Sequence, residues 1–307
     1  MWKVKIWLLI ILSCLTVGCQ FQEPSKPNTA YEVPRLTEPV NQTLREAPIR
    51  EVFVDPAQFL AGNSVSHKKI SSQAVAGVVN HHVLAADLLA EFFKSLKLAR
   101  PNITAFVILS PDHFSRGHGI SLSNLAYVTP AGTVQINRQM FQTLKNMGYY
   151  DGTSGRLFEN EHGAGALMPF IAREFPGAEV VPIFLRSDVS LKQAEQLGRD
   201  LSALQSDGLM LILSSDMSHF LDWKTALARD ERTLDWLENM NFERLKKASD
   251  ANTDSGSSFA VLEIYLAEID VQKKNSNYAF QLLSHKSSLD YGQDPGNVTT
   301  YITGIWY

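Results

Sequence analysis

Three short apolar runs, each passing directly into a histidine-bearing segment, constrain this chain more than any other feature. Residues 76–79 (AGVV) lead into Asn80-His81-His82, residues 106–109 (FVIL) into Ser110-Pro111-Asp112-His113, and residues 209–213 (LMLIL) into Ser214-Ser215-Asp216-Met217-Ser218-His219. Apolar runs of this length, followed by helical spacing, read as buried strands of βαβ units. In such sheets the ligand crevice lies beyond the carboxyl ends of the strands. Three strands therefore deliver His81, His113 and the Asp216/His219 pair to one edge. A single histidine is ordinarily a hydrogen-bonded structural residue. Three of them with carboxylates, brought together by a sheet and not by local sequence, point to a metal or acid–base site.

The intervening sequence supports that reading. Leu84, Leu88, Leu89, Phe92, Phe93 and Leu96 recur with helical spacing over residues 84–98, and Pro101-Asn102 ends the pattern before a strand at 105–109. Residues 138–147 predict a helix closed by Gly148, and residues 165–175 another stopped by Pro176-Gly177; residues 179–185 (EVVPIFL) predict a strand. Helices follow at 191–204, with Ser190 as N-cap, at 224–239 and at 257–268; strands close the chain at 278–284 and 298–306. The alternation predicts one α/β domain of three layers, a mixed central sheet flanked by helices on both faces. It spans residues 67–307, long enough to bury a substantial core.

The amino-terminal region has a different composition. Lys3 and Lys5 precede a short apolar core at residues 6–17, which ends in Gly18-Cys19. That core is too short for a membrane-spanning helix, which needs about 20 apolar residues, and suits a signal peptide. A small residue directly before a cysteine predicts a lipoprotein leader at residues 1–19, with Cys19 the lipidated first residue of the mature chain. The match departs from the usual pattern, since Thr16 stands where leucine is common. Residues 20–66 contain Pro24, Pro27, Pro34, Pro39 and Pro48 among polar residues and read as a tether, ending in an ordered piece around residues 52–60 that packs on the domain. The expectation is an exported protein, lipid-anchored to a bacterial cell envelope. Both cysteines, Cys14 and Cys19, fall in the leader, so the domain has no disulfide, thiolate ligand or cysteine nucleophile. A net charge of -4 without a basic cluster argues against nucleic acid.

His81 and His113 are the expected ligands of a divalent metal, because neutral imidazole is a good donor for iron, zinc and copper. Asp112 either orients an imidazole or shapes the turn after Pro111. Neighbouring side chains on extended backbone point apart, so His82 should turn away if His81 faces the pocket. His118, in a glycine-flanked loop, reads as structural or exposed. Asp216 and His219 are three residues apart; on a helix they would share a face and serve as an acid–base pair on a bound substrate. The other reading of Asp216 is a turn cap.

His81, ILSPDHF at residues 108–114, TPAG at 129–132, ENEHGAGALMPF at 159–170 and SSDMSHF at 214–220 together resemble the Memo family in order and spacing. That family includes the AmmeMemoRadiSam system protein B and is similar in fold to class III extradiol dioxygenases, which hold a non-haem iron with two histidines and a carboxylate. The resemblance implies a metal at His81 and His113, iron in the first place with copper or zinc as alternatives. It also places Asp216 and His219 beside that metal, with Glu161 and His162 bordering the pocket. Many members carry a cysteine before a glycine as third ligand. Here Ser255 precedes Gly256 at that place, and a hydroxyl is a poor ligand for soft or borderline metals. Asp254 next door could complete a two-histidine, one-carboxylate set; Ser255, Glu161 and water are the alternatives, and a degenerate site remains open. Two functions stay open with it. One is a metal-dependent enzyme that oxidises or hydrolyses an unidentified small molecule; the other is a lipid-anchored binding protein that holds a metal, small molecule or peptide without catalysis.

Overall fold

Uninterrupted apolar strands are stable only when both faces of their sheet are covered, and this requirement organises the molecule. The computed structural model describes residues 49–52, 55–152, 161–247, 251–273 and 278–307. Cys14, Cys19 and the tether up to residue 48 lie outside the described residues. Strand β1 (Ile49–Glu51) and helix α1 (Pro56–Ala61) come first, followed by β2 (Ala76–Val79), α2 (Ala86–Ala99) and β3 (Ala105–Pro111). Next are β4 (Ile120–Leu122), β5 (Ala126–Thr129), β6 (Gly132–Ile136), α3 (Arg138–Asn146) and β7 (Tyr150–Asp151). The second half runs α4 (Met168–Glu174), β8 (Glu179–Leu185), α5 (Leu191–Ala203), β9 (Leu209–Ser214), α6 (Trp223–Glu238), α7 (Phe242–Lys247) and α8 (Gly256–Lys273), and ends in β10 (Phe280–Ser287) and β11 (Thr300–Trp306).

The strands join one mixed sheet in the order β1-β5-β6-β8-β3-β9-β2-β11-β10, with β4 and β7 attached beside β8. Its centre, β6-β8-β3-β9-β2, is parallel. On one flank β11 runs antiparallel to β2 and β10 antiparallel to β11; on the other, β5 runs antiparallel to β6. All residues of β2, β3 and β9 are buried. Helices α1, α2 and α4 pack as one group and α5, α7 and α8 as another. The result is the expected α/β domain. The capping box at Ser190 and Gln193 starts α5 where the sequence predicts it.

The short elements β4, β7 and α7 lie outside the sequence reading, and two further features bear on it. The end of the segment read as tether joins the sheet, β1 pairing in parallel with β5 and Val52 N donating to Val128 O (2.9 Å), while α1 packs against α2 as expected of an ordered piece around residues 52–60. The TPAG segment turns a hairpin between β5 and β6. Thr129 Oγ1 accepts from Ala131 N (3.1 Å) and bonds Gly132 O (2.7 Å). These strands are short and partly exposed, so no continuous apolar run marks them.

Helices α5 and α8 meet at Gly198. A Cβ there would lie 2.7 Å from Val261 O and 2.8 Å from Ile264 Cβ, so the two helices approach as closely as a glycine permits. Gly198→Ala should therefore lower the denaturant midpoint. Overpacking of about 1–3 kcal/mol outweighs the roughly 1 kcal/mol that alanine gains in a helix. An unchanged or raised midpoint would show that the helices separate freely.

Candidate metal centre

The loops that follow β2, β3 and β9 end at one edge of the sheet, as the parallel register requires, and a fourth segment before α8 meets them. Nε2 of His81 lies 3.1 Å from Asp254 Oδ2, Nε2 of His113 lies 3.5 Å from the same oxygen, and Nε2 of His219 lies 4.0 Å from it. His81 is 2% exposed, whereas the His113 side chain is 22% exposed, so the pocket opens past His113. Asp254 Oδ2 is buried and has no aligned hydrogen-bond donor despite its three imidazole neighbours. Ligands at about 2.0–2.2 Å from one ion lie roughly 3.0–3.5 Å from each other, which matches the spacing of His81 and His113 to Asp254. Two sets of potential ligand atoms each fall within 4.8 Å of one another: His81, His113 and His162, and His81, Asp216 and Asp254.

Hydrogen bonds behind the imidazoles fix which nitrogen faces the centre. Ser214 Oγ donates its single proton to Gly163 O (2.6 Å), so at 3.0 Å from His81 Nδ1 it can only accept. His81 therefore carries hydrogen on Nδ1, and its neutral form presents a lone pair at Nε2. His113 Nδ1 donates to Glu161 Oε1 (2.7 Å), with the same consequence. Glu161 also accepts from His113 N (2.9 Å) and Gly163 N (3.0 Å). Gly163 thus serves both imidazoles, its carbonyl through Ser214 and its amide through Glu161. A Cβ at Gly163 would collide with Ser110 Oγ, so any larger residue there must turn that hydroxyl aside. Ser215 Oγ donates to Asp254 Oδ1 (3.0 Å), which turns Oδ2 toward the histidines. These partners orient the donors as carboxylates and carbonyls do behind metal-bound histidines.

The electrostatics follow from that crowding. Burial disfavours the charged form of His113, but the nearby Asp254 carboxylate and the hydrogen-bonded Glu161 outweigh it and raise its pKa to about 10. Burial likewise opposes charging of His81, yet Asp216 and Asp254 push its pKa up. Burial would raise Asp254, and the positive imidazoles hold it well below the usual carboxylate range. His162 behaves oppositely. Its ring stacks on His113 at 4.5 Å between centroids, and burial together with the charges of His81 and His113 lowers its pKa to about 4.

A match to the family described as "Memo-like protein" spans residues 59–305. The chain belongs to that family. It is 26% identical over 219 residues to a "MEMO1 family protein" of Caldivirga maquilingensis, covering 70% of this chain and 74% of that one. It is 24% identical over 223 residues to a namesake from Thermotoga maritima, covering 70% and 76%. A third, from Nitrosopumilus maritimus, is 22% identical over 251 residues, covering 80% and 87%. A crystal structure of an uncharacterized Escherichia coli K12 protein aligns with TM-score 0.48 at 13% identity, covering 76% of this chain and all of that one, a likeness too slight to carry an argument.

In this Memo-like chain the other expected residues divide. Asp216 and His219 do not share a helix, because residues 215–222 form an extended loop and α6 starts at Trp223. Asp216 Oδ1 accepts from the amides of His81 (3.0 Å) and His82 (3.4 Å), so it clamps the loop after β2, and no hydrogen bond joins it to His219 among the described residues. His219 Nδ1 is buried without a hydrogen-bond partner. Asp112 takes the turn role, accepting from Arg116 N (3.1 Å) and Gly117 N (2.6 Å), while Glu161 orients His113. His82 turns away from His81 and meets the Tyr301 hydroxyl at 2.7 Å. His118 is exposed beside Tyr150, its ring 4.4 Å from that of the tyrosine. Ser255 Oγ bonds Ser258 Oγ (2.5 Å) at the start of α8. The roles of Ser214, Ser215 and Gly163 have no sequence signal beyond their place inside the motifs.

Ser214→Ala removes the acceptor that fixes the His81 tautomer, and Glu161→Gln removes the carboxylate behind His113. Each should weaken divalent-metal binding about 10–100-fold, measured by calorimetry, while leaving the strands intact by circular dichroism. Wild-type affinity in both would detach these residues from the centre.

Proposed function

We propose that this Memo-like protein holds one divalent metal through His81, His113 and Asp254, iron in the first place and copper or zinc as alternatives, and presents it to a small molecule from a lipid-anchored position in a bacterial envelope. The observation that carries this reading is the convergence of two Nε2 atoms, their outer nitrogens already engaged, on a buried carboxylate oxygen without an aligned donor. Two histidines and one carboxylate form the donor set of non-haem iron sites that keep open positions. When bound, the metal supplies a Lewis acid that draws an oxygen-bearing molecule into the pocket. Around it, His219 and His162 offer imidazole nitrogens to that molecule. His162, its pKa lowered to about 4, is neutral at physiological pH and offers that molecule an uncharged hydrogen-bonding imidazole. Asp216 sets the backbone from which His81 projects.

A binding protein without catalysis is the second reading. It is favoured by the use of Asp216 on the backbone amides of His81 and His82, so that the expected Asp216–His219 acid–base pair does not form among the described residues. The anchor rests on Lys3, Lys5, the apolar core and Gly18-Cys19. No helix among the described residues is long and apolar enough to cross a membrane.

Protein purified without a metal-affinity tag should carry stoichiometric iron by elemental analysis, and His81→Ala, His113→Ala and Asp254→Ala should each lose most of it. If both histidine variants bind as tightly as wild type, the assignment fails. Loss in these two but not in Asp254→Ala would mean that two histidines and water hold the ion, which favours the binding protein.

The metal-free protein should also show its own pH dependence. His113 has a folded pKa of about 10 against 6.5 unfolded, so the stability it contributes is complete below pH 6.5 and disappears as pH rises through 10. Glu161 and Asp254 are shifted down, and their contribution is lost as pH falls through the acid range. The thermal midpoint of chelator-treated protein should therefore decline between pH 6.5 and 10. Added metal, which displaces the protons, should bind more tightly over the same interval and offset the decline. A chelator-treated midpoint that rises over this interval would contradict the assigned charges.

Cys19→Ser should release the protein from the membrane fraction and abolish lipid labelling. Retention with labelling would transfer the anchor to Cys14 or to the apolar core.

A further inference from the structure

A second pocket borders the metal centre. It encloses about 390 Å³ between the loop after β2, at His82 and Leu84, the loop after β9, at Phe220, and the β10–β11 connection, at Gln293, Asp294 and Asn297. That volume is within the range of small-molecule sites. Its lining mixes the apolar Leu84 and Phe220 with hydroxyls, amides, an imidazole and one carboxylate, and no lysine or arginine lines it among the described residues. The β10–β11 connection is a preorganised cup. Asp294 Oδ1 accepts from Gly296 N (2.7 Å), Asn297 N donates to Asp294 O (3.2 Å), and Gln293 N donates to Ser288 O (3.1 Å). Ser288 Oγ accepts from Thr299 N (3.2 Å), which leaves its hydroxyl proton free to donate into the pocket it lines.

Phe220 is the feature that asks for an occupant. Its ring is 80% exposed, the most exposed large apolar side chain among the described residues, and its backbone has φ 55. The left-handed region is costly for a bulky residue and persists only where the surroundings enforce it. Here the enforcement is visible: Val298 N donates to Leu221 O (2.7 Å) and Trp223 N to Pro295 O (2.9 Å), tying the Phe220 loop to the cup. An apolar face held in water beside amides, a hydroxyl and a carboxylate is complementary to a ring with C–H groups on its faces and hydroxyls around its edge. An anionic ring would meet Asp294 with no cation to balance it.

We propose that this pocket binds an uncharged polyhydroxylated ring, a neutral sugar unit, with Phe220 under its C–H face and Gln293, Asp294 and Asn297 on its hydroxyls. The inference deepens the metal-site reading, on which it rests only for the statement that the ring is the substrate: the pocket lies between the loops that carry His81 and His219. Sugar binding itself requires no metal.

The test uses full-length protein and ligand-observed saturation-transfer NMR with calorimetry. The probes are a panel of neutral methyl pyranosides, a methyl glucuronoside as the anionic counterpart, and a short uncharged peptide. At least one neutral pyranoside should bind, and the glucuronoside should bind about tenfold more weakly or not at all. Phe220→Gly relieves the backbone strain while removing the ring. It should raise the unfolding midpoint yet weaken pyranoside binding about tenfold, and Asn297→Ala should weaken binding without moving the midpoint. Chelator-treated wild-type protein should still bind the pyranoside, so failure of the metal reading leaves this result intact. The proposal is overturned if no neutral pyranoside binds, if the glucuronoside or the peptide binds better, or if Phe220→Gly and Asn297→Ala both bind as wild type does.

Discussion

Buried lone pairs that face one another need positive charge between them, and the surroundings of His81, His113 and Asp254 leave no neutral way to supply it. The outer nitrogen of each imidazole is engaged, by Ser214 or Glu161, and the outer oxygen of Asp254 is engaged by Ser215. What remains is two Nε2 atoms at 3.1 and 3.5 Å from Asp254 Oδ2, with Asp216 Oδ2 a further 3.6 Å from the first, in a medium where unpaired polar atoms are costly. Protons on the imidazoles relieve this in one way, which is why the pKa of His113 rises to about 10. A divalent ion held as proposed would replace those protons with a charge of its own.

The rest of the fold holds that arrangement in place. Parallel strands put three loops at one sheet edge without specifying side-chain direction. Direction comes from polar contacts between loops: Gly163 to both imidazole partners, Asp216 to the amides after β2, and Asp254 N to Asp216 O (3.3 Å). Helix α6 braces two of the contributing segments. Arg229 bonds Asn252 Oδ1 (3.0 Å) and Thr233 accepts from Asn252 Nδ2 (3.1 Å), beside Asp254. Asp230, fully buried, accepts from Ser218 Oγ (2.7 Å), from Thr300 Oγ1 (2.9 Å) and at 2.6 Å from His285 Nε2, beside His219. Removing one member of such a network leaves others buried and unpaired, so its cost exceeds that of a single hydrogen bond.

Much of this was legible in the sequence, for identifiable reasons. Buried parallel strands announce themselves as apolar runs, and the rule that crevices lie at their carboxyl ends needs no coordinates, so His81, His113 and His219 could be brought together from residues alone. The long helices were legible through their apolar spacing and through Ser190. The hairpin at Thr129 and Gly132 was not, because half-exposed strands of four or five residues carry too little pattern. Nor was the division of labour among carboxylates. Asp112, Glu161, Asp216 and Asp254 all stand near histidines in sequence or space, yet one closes a turn, one orients an imidazole, one clamps backbone and one faces the centre. Those roles depend on which loop lies opposite, which sequence spacing does not encode.

The third donor has a chemical consequence of its own. Ser255, at the place where the resemblance puts a thiolate, is engaged with Ser258, and the oxygen facing the histidines belongs to the residue before it. A carboxylate is a harder donor than a thiolate, so the proposed set is less suited to the soft metals that thiolates select. It is also indifferent to oxidants. A ligating thiolate can be carried to sulfenic and sulfinic acid, and that risk grows outside the reducing cytosol. The absence of cysteine after Cys19 removes this route altogether. A site built from imidazole and carboxylate alone would keep its donors in an oxidising compartment, which is compatible with the proposed export.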